Sequence, residues 1–255
     1  MEIAQHITAV GQEAKLFAQA AEHGGLDADI STCPGWNMRE LVRHLIEIHL
    51  WAASHVAQPH HDNPWVNDLA ELTVFWPDLA VFWPDDDELV GWYLKVNANL
   101  VNALESAPLD VEAFTFLAAP SPLAMWARRQ AHETAIHRFD AENGAGIAST
   151  FDPTFASDGI DELLAAFAPR KTELSIATAQ TMVVHATDTD DLWHVTMAPD
   201  GISTIRDDGP ADVTLTGDAP DLYLALWNRS ENANVTVTGD QELLEYWHQN
   251  HRVRW

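Results

Sequence analysis

A carboxylate and an imidazole stand at helical spacing in the segment 132–140, which reads His-Glu-Thr-Ala-Ile-His-Arg-Phe-Asp. If this segment is helical, Glu133 and His137 lie one turn apart on the same face. Such a pair supplies two ligands for a metal ion, and a tetrahedral site needs more. The chemistry of the pair therefore depends on a third ligand from elsewhere in the chain and on what fills the remaining position.

An earlier helix, predicted from about residue 38 to residue 56, carries two candidates for the third ligand. His44 falls within the apolar stripe of this helix, and His49 follows five residues later, somewhat off the same face. Spacing alone leaves both histidines open, and a buried histidine is often a hydrogen-bonded core residue. Two histidines and one carboxylate form the ligand set of hydrolytic zinc sites, and the same set suits ferrous iron.

Two further charged residues share the face of Glu133 and His137 on a helix predicted from about residue 123 to residue 143. Asp140 is placed to accept a hydrogen bond from His137 and so to orient its ring, as metal-bound histidines usually require. The alternative for Asp140 is a plain acid on the helix surface. Arg129 is a candidate for binding an anionic group of a cofactor, and its alternative is a salt bridge to Glu133.

The elements that position these residues follow from apolar periodicity. Helical spacing predicts helices at about 3–23, 38–56, 88–105 and 123–143, which together indicate a four-helix bundle. Asn37 is predicted to cap the second helix in a capping box with Glu40. The stretch from Gln58 to Glu88, which repeats Phe-Trp-Pro-Asp, is predicted as a long loop able to cover a site.

The pattern changes in the second half of the chain. A fifth helix is predicted at about 158–167, followed by strands at 181–187 and 192–197 around a hairpin turn. Two copies of Val-Thr-x-Thr-Gly-Asp, ending at Asp218 and Asp240, each read as a strand that leads into a helix. The predicted fold class is thus α plus α+β, with a helical bundle over residues 1–168 and a small α+β domain over residues 169–255.

Composition narrows the function classes. The 255 residues are 47% hydrophobic, which excludes a disordered chain, and the net charge of −26 makes nucleic acid and anionic lipid improbable partners. We interpret the acidity chiefly as a solvated surface, with selection of cations as the alternative.

Cys33 is the single cysteine, so a disulfide framework and a cysteine-built zinc site are excluded. No signal peptide or membrane-spanning run is recognised, and we expect a cytoplasmic protein.

The segment 32–45, Thr-Cys-Pro-Gly-Trp-Asn-Met-Arg-Glu-Leu-Val-Arg-His-Leu, resembles the opening signature of the mycothiol-dependent maleylpyruvate isomerase family, within the DinB-like bundle superfamily. In that family a metal-binding histidine follows the tryptophan of the Pro-Gly-Trp turn by eight residues, and His44 occupies this position. Glu133, His137, Arg138 and Asp140 match a second signature of the family. The resemblance therefore implies His44 rather than His49 as the third metal ligand.

The second half resembles the C-terminal, sterol-carrier-like domain of the same family. The family's Trp-x-Arg segment carries an arginine that reaches toward the active site, and Trp227-Asn228-Arg229 matches it, with Asn228 where many relatives have glycine. The resemblance implies zinc, or another divalent metal, and mycothiol as cofactors. Arg229 is then expected to act in catalysis by binding a carboxylate of the substrate or cofactor, with Arg129 as the competing candidate.

The expected function is that of a zinc-dependent enzyme with His44, Glu133 and His137 as ligands. It would activate a thiol, implied to be mycothiol, for S-transfer to a small electrophile or for isomerisation of one. Cys33 is not expected to be the nucleophile, because it precedes a proline in a turn. The alternatives are metal-assisted hydrolysis, with water in place of the thiol, and a non-catalytic, metal-responsive protein that binds a small ligand.

Overall fold

Within its described residues, the first part of the chain forms four long helices, as the apolar periodicity predicts. The computed structural model describes residues 1–57, 84–230 and 234–251. The helices are α1 (Ile3–Gly24), α2 (Met38–Ala57), α3 (Asp86–Ser106) and α4 (Pro122–Gly144). Both α1 and α2 pack against α3 and α4, which confirms the helical bundle. Of the predicted loop 58–88, residues 58–83 lie outside the described residues, and residues 86–88 belong to α3.

Side-chain caps determine where the two site-bearing helices begin. The Asn37 side chain accepts hydrogen bonds from the backbone N–H groups of Arg39 and Glu40 at 2.9 and 3.2 Å. The Glu40 carboxylate in turn accepts from the Asn37 N–H at 2.8 Å, which confirms the capping box. At α4 the Ser121 hydroxyl accepts from the Ala124 N–H at 3.2 Å. These caps hold the first turn of α2 and of α4 in place.

Helix α4 is buried on nearly every side, and it carries charges into the core. Its buried charged or ionisable residues are Arg129, His132, Glu133, His137, Arg138, Asp140 and Glu142. Charges so far from water are stable only when they are paired and hydrogen-bonded. Arg138 illustrates this, since its guanidinium lies 2.6 Å from a carboxylate oxygen of Glu13 and 3.1 Å from one of Glu142. Among the described residues no helix combines the length and apolar character needed to cross a membrane.

The second part of the chain is built on a five-stranded sheet in the order β3-β2-β1-β4-β5. The strands are β1 (Gln180–Ala186), β2 (Asp191–Ala198), β3 (Gly201–Ile205), β4 (Val213–Gly217) and β5 (Thr236–Gly239). Strands β1 and β4 pair in parallel at the centre, and the other pairs are antiparallel. Helices α6 (Ala219–Leu226) and α7 (Gln241–Asn250) follow β4 and β5.

The repeated Val-Thr-x-Thr-Gly-Asp strings are neighbours in this sheet. Strands β4 and β5 pair antiparallel, with Val213 opposite Gly239 and Thr216 opposite Thr236. The aspartate that ends the second string starts α7, because the Asp240 side chain accepts from the N–H groups of Glu242 and Leu243. The predicted sequence of strand, aspartate and helix is therefore confirmed for both strings.

The chain divides into two compact units, Met1–Ser149 and Thr150–Trp255. The fifth helix, α5 (Pro153–Asp161), starts earlier than predicted, because Asp152 caps it by accepting from the Phe155 N–H at 3.1 Å. It continues through a π-helical turn, Glu162–Phe167, into a 3₁₀ turn, Ala168–Arg170. Phe155 contacts Tyr223, and Phe167 contacts Trp227. These ring contacts place residues 150–168 with the second unit, which moves the predicted boundary from residue 168 to residue 149.

Candidate metal centre

Helices α2 and α4 bring His44, Glu133 and His137 together. The Nε2 atom of His44 lies 3.1 Å from Glu133 Oε1, and the Nε2 atom of His137 lies 3.4 Å from the same oxygen. All three ligand-type atoms fall within 4.8 Å of one another. The His137 side chain is fully buried, and those of Glu133 and His44 are 2% and 10% exposed. Residues 89 positions apart in the sequence thus share one small polar cluster.

The donor set fits a zinc ion in both chemistry and spacing. Imidazole nitrogen and carboxylate oxygen are ordinary zinc ligands with bond lengths of about 2.0–2.2 Å, so neighbouring ligands of a tetrahedral zinc lie roughly 3.3 Å apart. The separations of 3.1 and 3.4 Å from Glu133 Oε1 to the two histidines agree with that value. Three protein ligands would leave the fourth position for a small molecule, which is the arrangement of catalytic rather than structural zinc sites.

Hydrogen bonds fix the orientation of two of these side chains. The Asp140 Oδ2 atom lies 2.8 Å from His137 Nδ1, so Nδ1–H donates to the carboxylate and Nε2 faces Glu133. This is the contact expected of Asp140 from the sequence. Arg129 donates to Glu133 Oε2 at 2.9 Å, which is the salt bridge weighed as the alternative to cofactor binding by Arg129. Glu133 therefore presents Oε1 to the histidines while Oε2 is held by the guanidinium.

The pKa values of the cluster follow from burial and from these contacts. Burial lowers the pKa of His44, and the hydrogen bond to Glu133 only partly opposes it. Burial would raise the pKa of Glu133, but hydrogen bonds from His137 and His44 and the charge of Arg129 hold it well below its usual range. For His137, burial is outweighed by hydrogen bonds to Asp140, Cys33 and Glu133, and its pKa lies well above the usual value. The cluster is therefore built around an ionised carboxylate.

The Pro-Gly-Trp turn before α2 also takes part in the centre. The Trp36 ring lies 5.0 Å from the His44 ring and 6.4 Å from the His137 ring, measured between centroids. Cys33, in the same turn, places its sulfur 3.3 Å from Asp140 Oδ2. Sequence reasoning used this turn only to locate His44 and did not predict either contact. The motif itself was the available signal, because Cys33 and Trp36 are both part of it.

His49 has a different role from His44. Its Nε2 atom lies 3.0 Å from Thr134 Oγ1, and that hydroxyl donates to the Gln130 carbonyl at 2.7 Å. The hydroxyl proton is thus committed, so Nε2–H of His49 is the donor to Thr134. Among the described residues, His49 belongs to no group of ligand-type atoms close enough to hold a metal ion. It is a hydrogen-bonded core histidine, the alternative that spacing left open.

The burial of His49 predicts acid sensitivity of the bundle. Burial lowers the pKa of His49 to about 3, so the folded state keeps this ring neutral at pH values where the unfolded chain is protonated. The stability that depends on the neutral His49 ring is fully present above about pH 6.5. Below that pH the free energy of unfolding falls by up to about 1.4 kcal/mol per pH unit. We expect His49→Gln to flatten the pH dependence of the unfolding free energy, followed through hydrogen exchange of α2 amides. Exposed His23→Gln is the control, and equal slopes for all three proteins would contradict the prediction.

Arg229 lies in the second unit, directly after α6. Its guanidinium donates to the Trp227 carbonyl at 3.2 Å, and its backbone N–H donates to the Leu224 carbonyl at 2.7 Å. Asn228 adopts a left-handed conformation with φ of 59°, which glycine and asparagine tolerate best. The departure from the family pattern is therefore compatible with the same backbone. The catalytic role of Arg229 stays a prediction.

A helical bundle carrying a His₂Glu cluster and joined to an α+β unit defines the class of protein. The domain described as "Mycothiol maleylpyruvate isomerase N-terminal domain" matches residues 7–142, and the "MDMPI C-terminal domain" matches residues 154–245. The chain belongs to the mycothiol maleylpyruvate isomerase family. The family assignment made from the two sequence signatures is thus confirmed.

Solved structures show the same fold. The chain superposes on the crystal structure of the mycothiol-dependent maleylpyruvate isomerase with a TM-score of 0.64 and 14% identity over 93% of each chain. A variant of that enzyme with one histidine replaced by alanine gives the same values. At this identity the likeness establishes the fold. No curated protein sequence matches the chain significantly.

Proposed function

We propose that this protein is a zinc-dependent enzyme that uses mycothiol to transform a small electrophile, by S-transfer or by isomerisation. The observation that carries the proposal is the convergence of His44 and His137 on one oxygen of Glu133, at 3.1 and 3.4 Å, in a member of this family. These three side chains are the proposed metal ligands. When bound, the metal supplies Lewis acidity that favours the deprotonated form of a coordinated thiol.

The surrounding residues prepare the cluster for that task. Asp140 keeps the Nδ1 proton of His137 in place, so that Nε2 is the atom offered toward Glu133. Arg129 neutralises part of the carboxylate charge and holds Glu133 by its other oxygen. His44 is the most exposed of the three at 10%, so a small molecule is expected to approach the cluster on its side.

The nucleophile is proposed to come from outside the chain. Cys33 is the single cysteine of the sequence, and it is only 9% exposed, with its thiol directed to Asp140. A thiol from outside the chain would supply the sulfur, and the name of the family supports mycothiol as that thiol. Addition of the sulfur to an activated double bond forms a C–S bond and delivers the proton to the neighbouring carbon. The former double bond is then a carbon–carbon single bond, and the molecule can rotate about it. Elimination breaks the C–S bond and removes the added proton, which returns the thiol and an isomerised alkene.

The substrate class is proposed from charge. The surface of a chain with net charge −26 repels anions, so an anionic substrate needs a local cation to be retained. We propose Arg229 for this role, because a guanidinium binds a carboxylate through two parallel hydrogen bonds. The proposed substrates are therefore small electrophiles that carry a carboxylate, such as α,β-unsaturated acids.

The test is turnover of a panel of unsaturated acids, epoxides and alkyl halides by the zinc-loaded protein, followed by NMR with and without mycothiol. We expect product only when both metal and mycothiol are present. Consumption of the thiol identifies S-transfer, whereas a changed alkene with the thiol retained identifies isomerisation. S-methylated mycothiol is the matched control and should support no turnover. Product formation at the same rate without thiol would establish hydrolysis instead, and binding of the panel without any turnover would establish a ligand-binding protein.

A further inference from the structure

The Cys-Pro-Gly-Trp turn contributes no proposed metal ligand, yet two of its side chains lie next to the cluster. Its backbone is closed by hydrogen bonds from the Cys33 N–H to the Ile30 carbonyl at 2.9 Å and from the Trp36 N–H to the Cys33 carbonyl at 3.0 Å. From this turn the Trp36 ring covers His44 and His137, and the Cys33 sulfur approaches Asp140. The turn is thus coupled to the cluster through both side chains.

Cys33 and His137 contact the same oxygen atom of Asp140. Asp140 Oδ2 is 2.8 Å from His137 Nδ1 and 3.3 Å from Cys33 Sγ, so it accepts from both the imidazole and the thiol. Asp140 is fully buried, and a buried carboxylate needs donors to remain ionised and in one rotamer. Cysteine suits the site because it packs as a small apolar residue in the core while offering a weak S–H donor.

We propose that Cys33 is a positioning residue of the metal centre. Its thiol holds the Asp140 carboxylate against Nδ1 of His137, and this contact fixes the tautomer and the ring plane of the proposed ligand. The inference rests on the proposed metal site and extends it, because it assigns a role to a residue that does not coordinate the metal. Cys33 acts on His137 together with Asp140, so its effect is expected to shrink when Asp140 can no longer accept the two hydrogen bonds.

The experiment measures zinc affinity by competition with a chromophoric chelator and records the visible absorption of the Co²⁺-loaded full chain. Cys33→Ala removes the donor and is expected to weaken zinc binding about 10-fold, at the low end of the effects of outer-shell residues, and to shift the Co²⁺ bands. Cys33→Ser keeps a donor and is expected to stay within about threefold of the wild type. Ile30→Val is the control, because it removes one buried carbon from the same segment and leaves Cys33 and Asp140 unchanged.

A double-mutant cycle tests whether Cys33 and Asp140 act together on His137. Adding Cys33→Ala to Asp140→Asn is expected to cause a smaller loss of affinity than Cys33→Ala causes in the wild type, since the two residues act on the same ring. The inference is overturned if the wild type binds zinc and Cys33→Ala matches it in affinity and Co²⁺ spectrum. It is also overturned if Ile30→Val weakens zinc binding as much as Cys33→Ala does. If Cys33→Ala does not fold, the inference is overturned when Cys33→Ser binds zinc as weakly as Asp140→Asn. Absence of zinc binding by the wild type would instead overturn the proposed function on which the inference rests.

Discussion

Replacing Glu133 with glutamine is expected to lower the affinity for zinc by at least about 100-fold, because removal of a direct ligand costs more than the 10–100-fold lost with outer-shell partners. The amide has nearly the same shape as the carboxylate but lacks the charge toward which both histidines and Arg129 are directed. Glutamine also leaves the buried guanidinium without its charged partner. Chelator competition measures the affinity, and circular dichroism verifies that the variant is folded.

Glu105→Gln is the matched control for this substitution. Glu105 is an exposed residue near the end of α3, so its replacement changes the net charge equally without touching the cluster. We expect Glu105→Gln to bind zinc as the wild type does. Equal affinities for Glu133→Gln and Glu105→Gln would show that Glu133 is not a ligand.

Replacing Arg138 with methionine is expected to lower the free energy of unfolding of the bundle by about 3–5 kcal/mol at neutral pH. Methionine fills a similar volume but removes the cation that lies between the partly buried carboxylate of Glu13 and the buried carboxylate of Glu142. Burial already raises the pKa of Glu13, and the Arg138 charge opposes that rise. Without the arginine the pKa of Glu13 rises further, so the loss of stability should shrink as the pH falls and Glu13 takes up a proton.

Urea unfolding, monitored through the hydrogen exchange of α1 and α4 amides, measures this change in the free energy of unfolding. Arg39→Met is the control, because Arg39 also bridges two carboxylates, those of Asp27 and Asp86, but both of these are largely exposed. Its loss is expected to be much smaller, since exposed ion pairs contribute little. Similar losses for Arg138→Met and Arg39→Met would contradict the role assigned to burial.

The helical half of the chain was predictable because its signals are local. Apolar periodicity located the four helices, and the capping box of Asn37 and Glu40 is as the sequence indicated. The one-turn spacing of Glu133 and His137 likewise predicted their proximity. The choice between His44 and His49 was not local. It depends on which residue of α4 each histidine faces, since His44 contacts Glu133 whereas His49 contacts the hydroxyl of the next residue, Thr134.

Features that depend on tertiary packing were missed. The contact of Cys33 with Asp140 joins residues 107 positions apart, and no periodicity marks it. Strand β3 was not predicted, because it is short and follows β2 after a two-residue turn. The earlier start of α5 had a local signal, Asp152 followed by Pro153, but its membership of the second unit depends on ring contacts with Tyr223 and Trp227.

The most direct test of the account is the metal content of the purified protein beside His44→Ala, His137→Ala and His49→Ala, measured by mass spectrometry of the metals. His49 is the matched control, since it is a histidine of α2 directed to Thr134 rather than to Glu133. We predict about one zinc ion per chain in the wild type and in His49→Ala, and little in the other two variants, because each lacks one of three protein ligands. Equal metal content in all four proteins would contradict a metal centre formed by His44, Glu133 and His137.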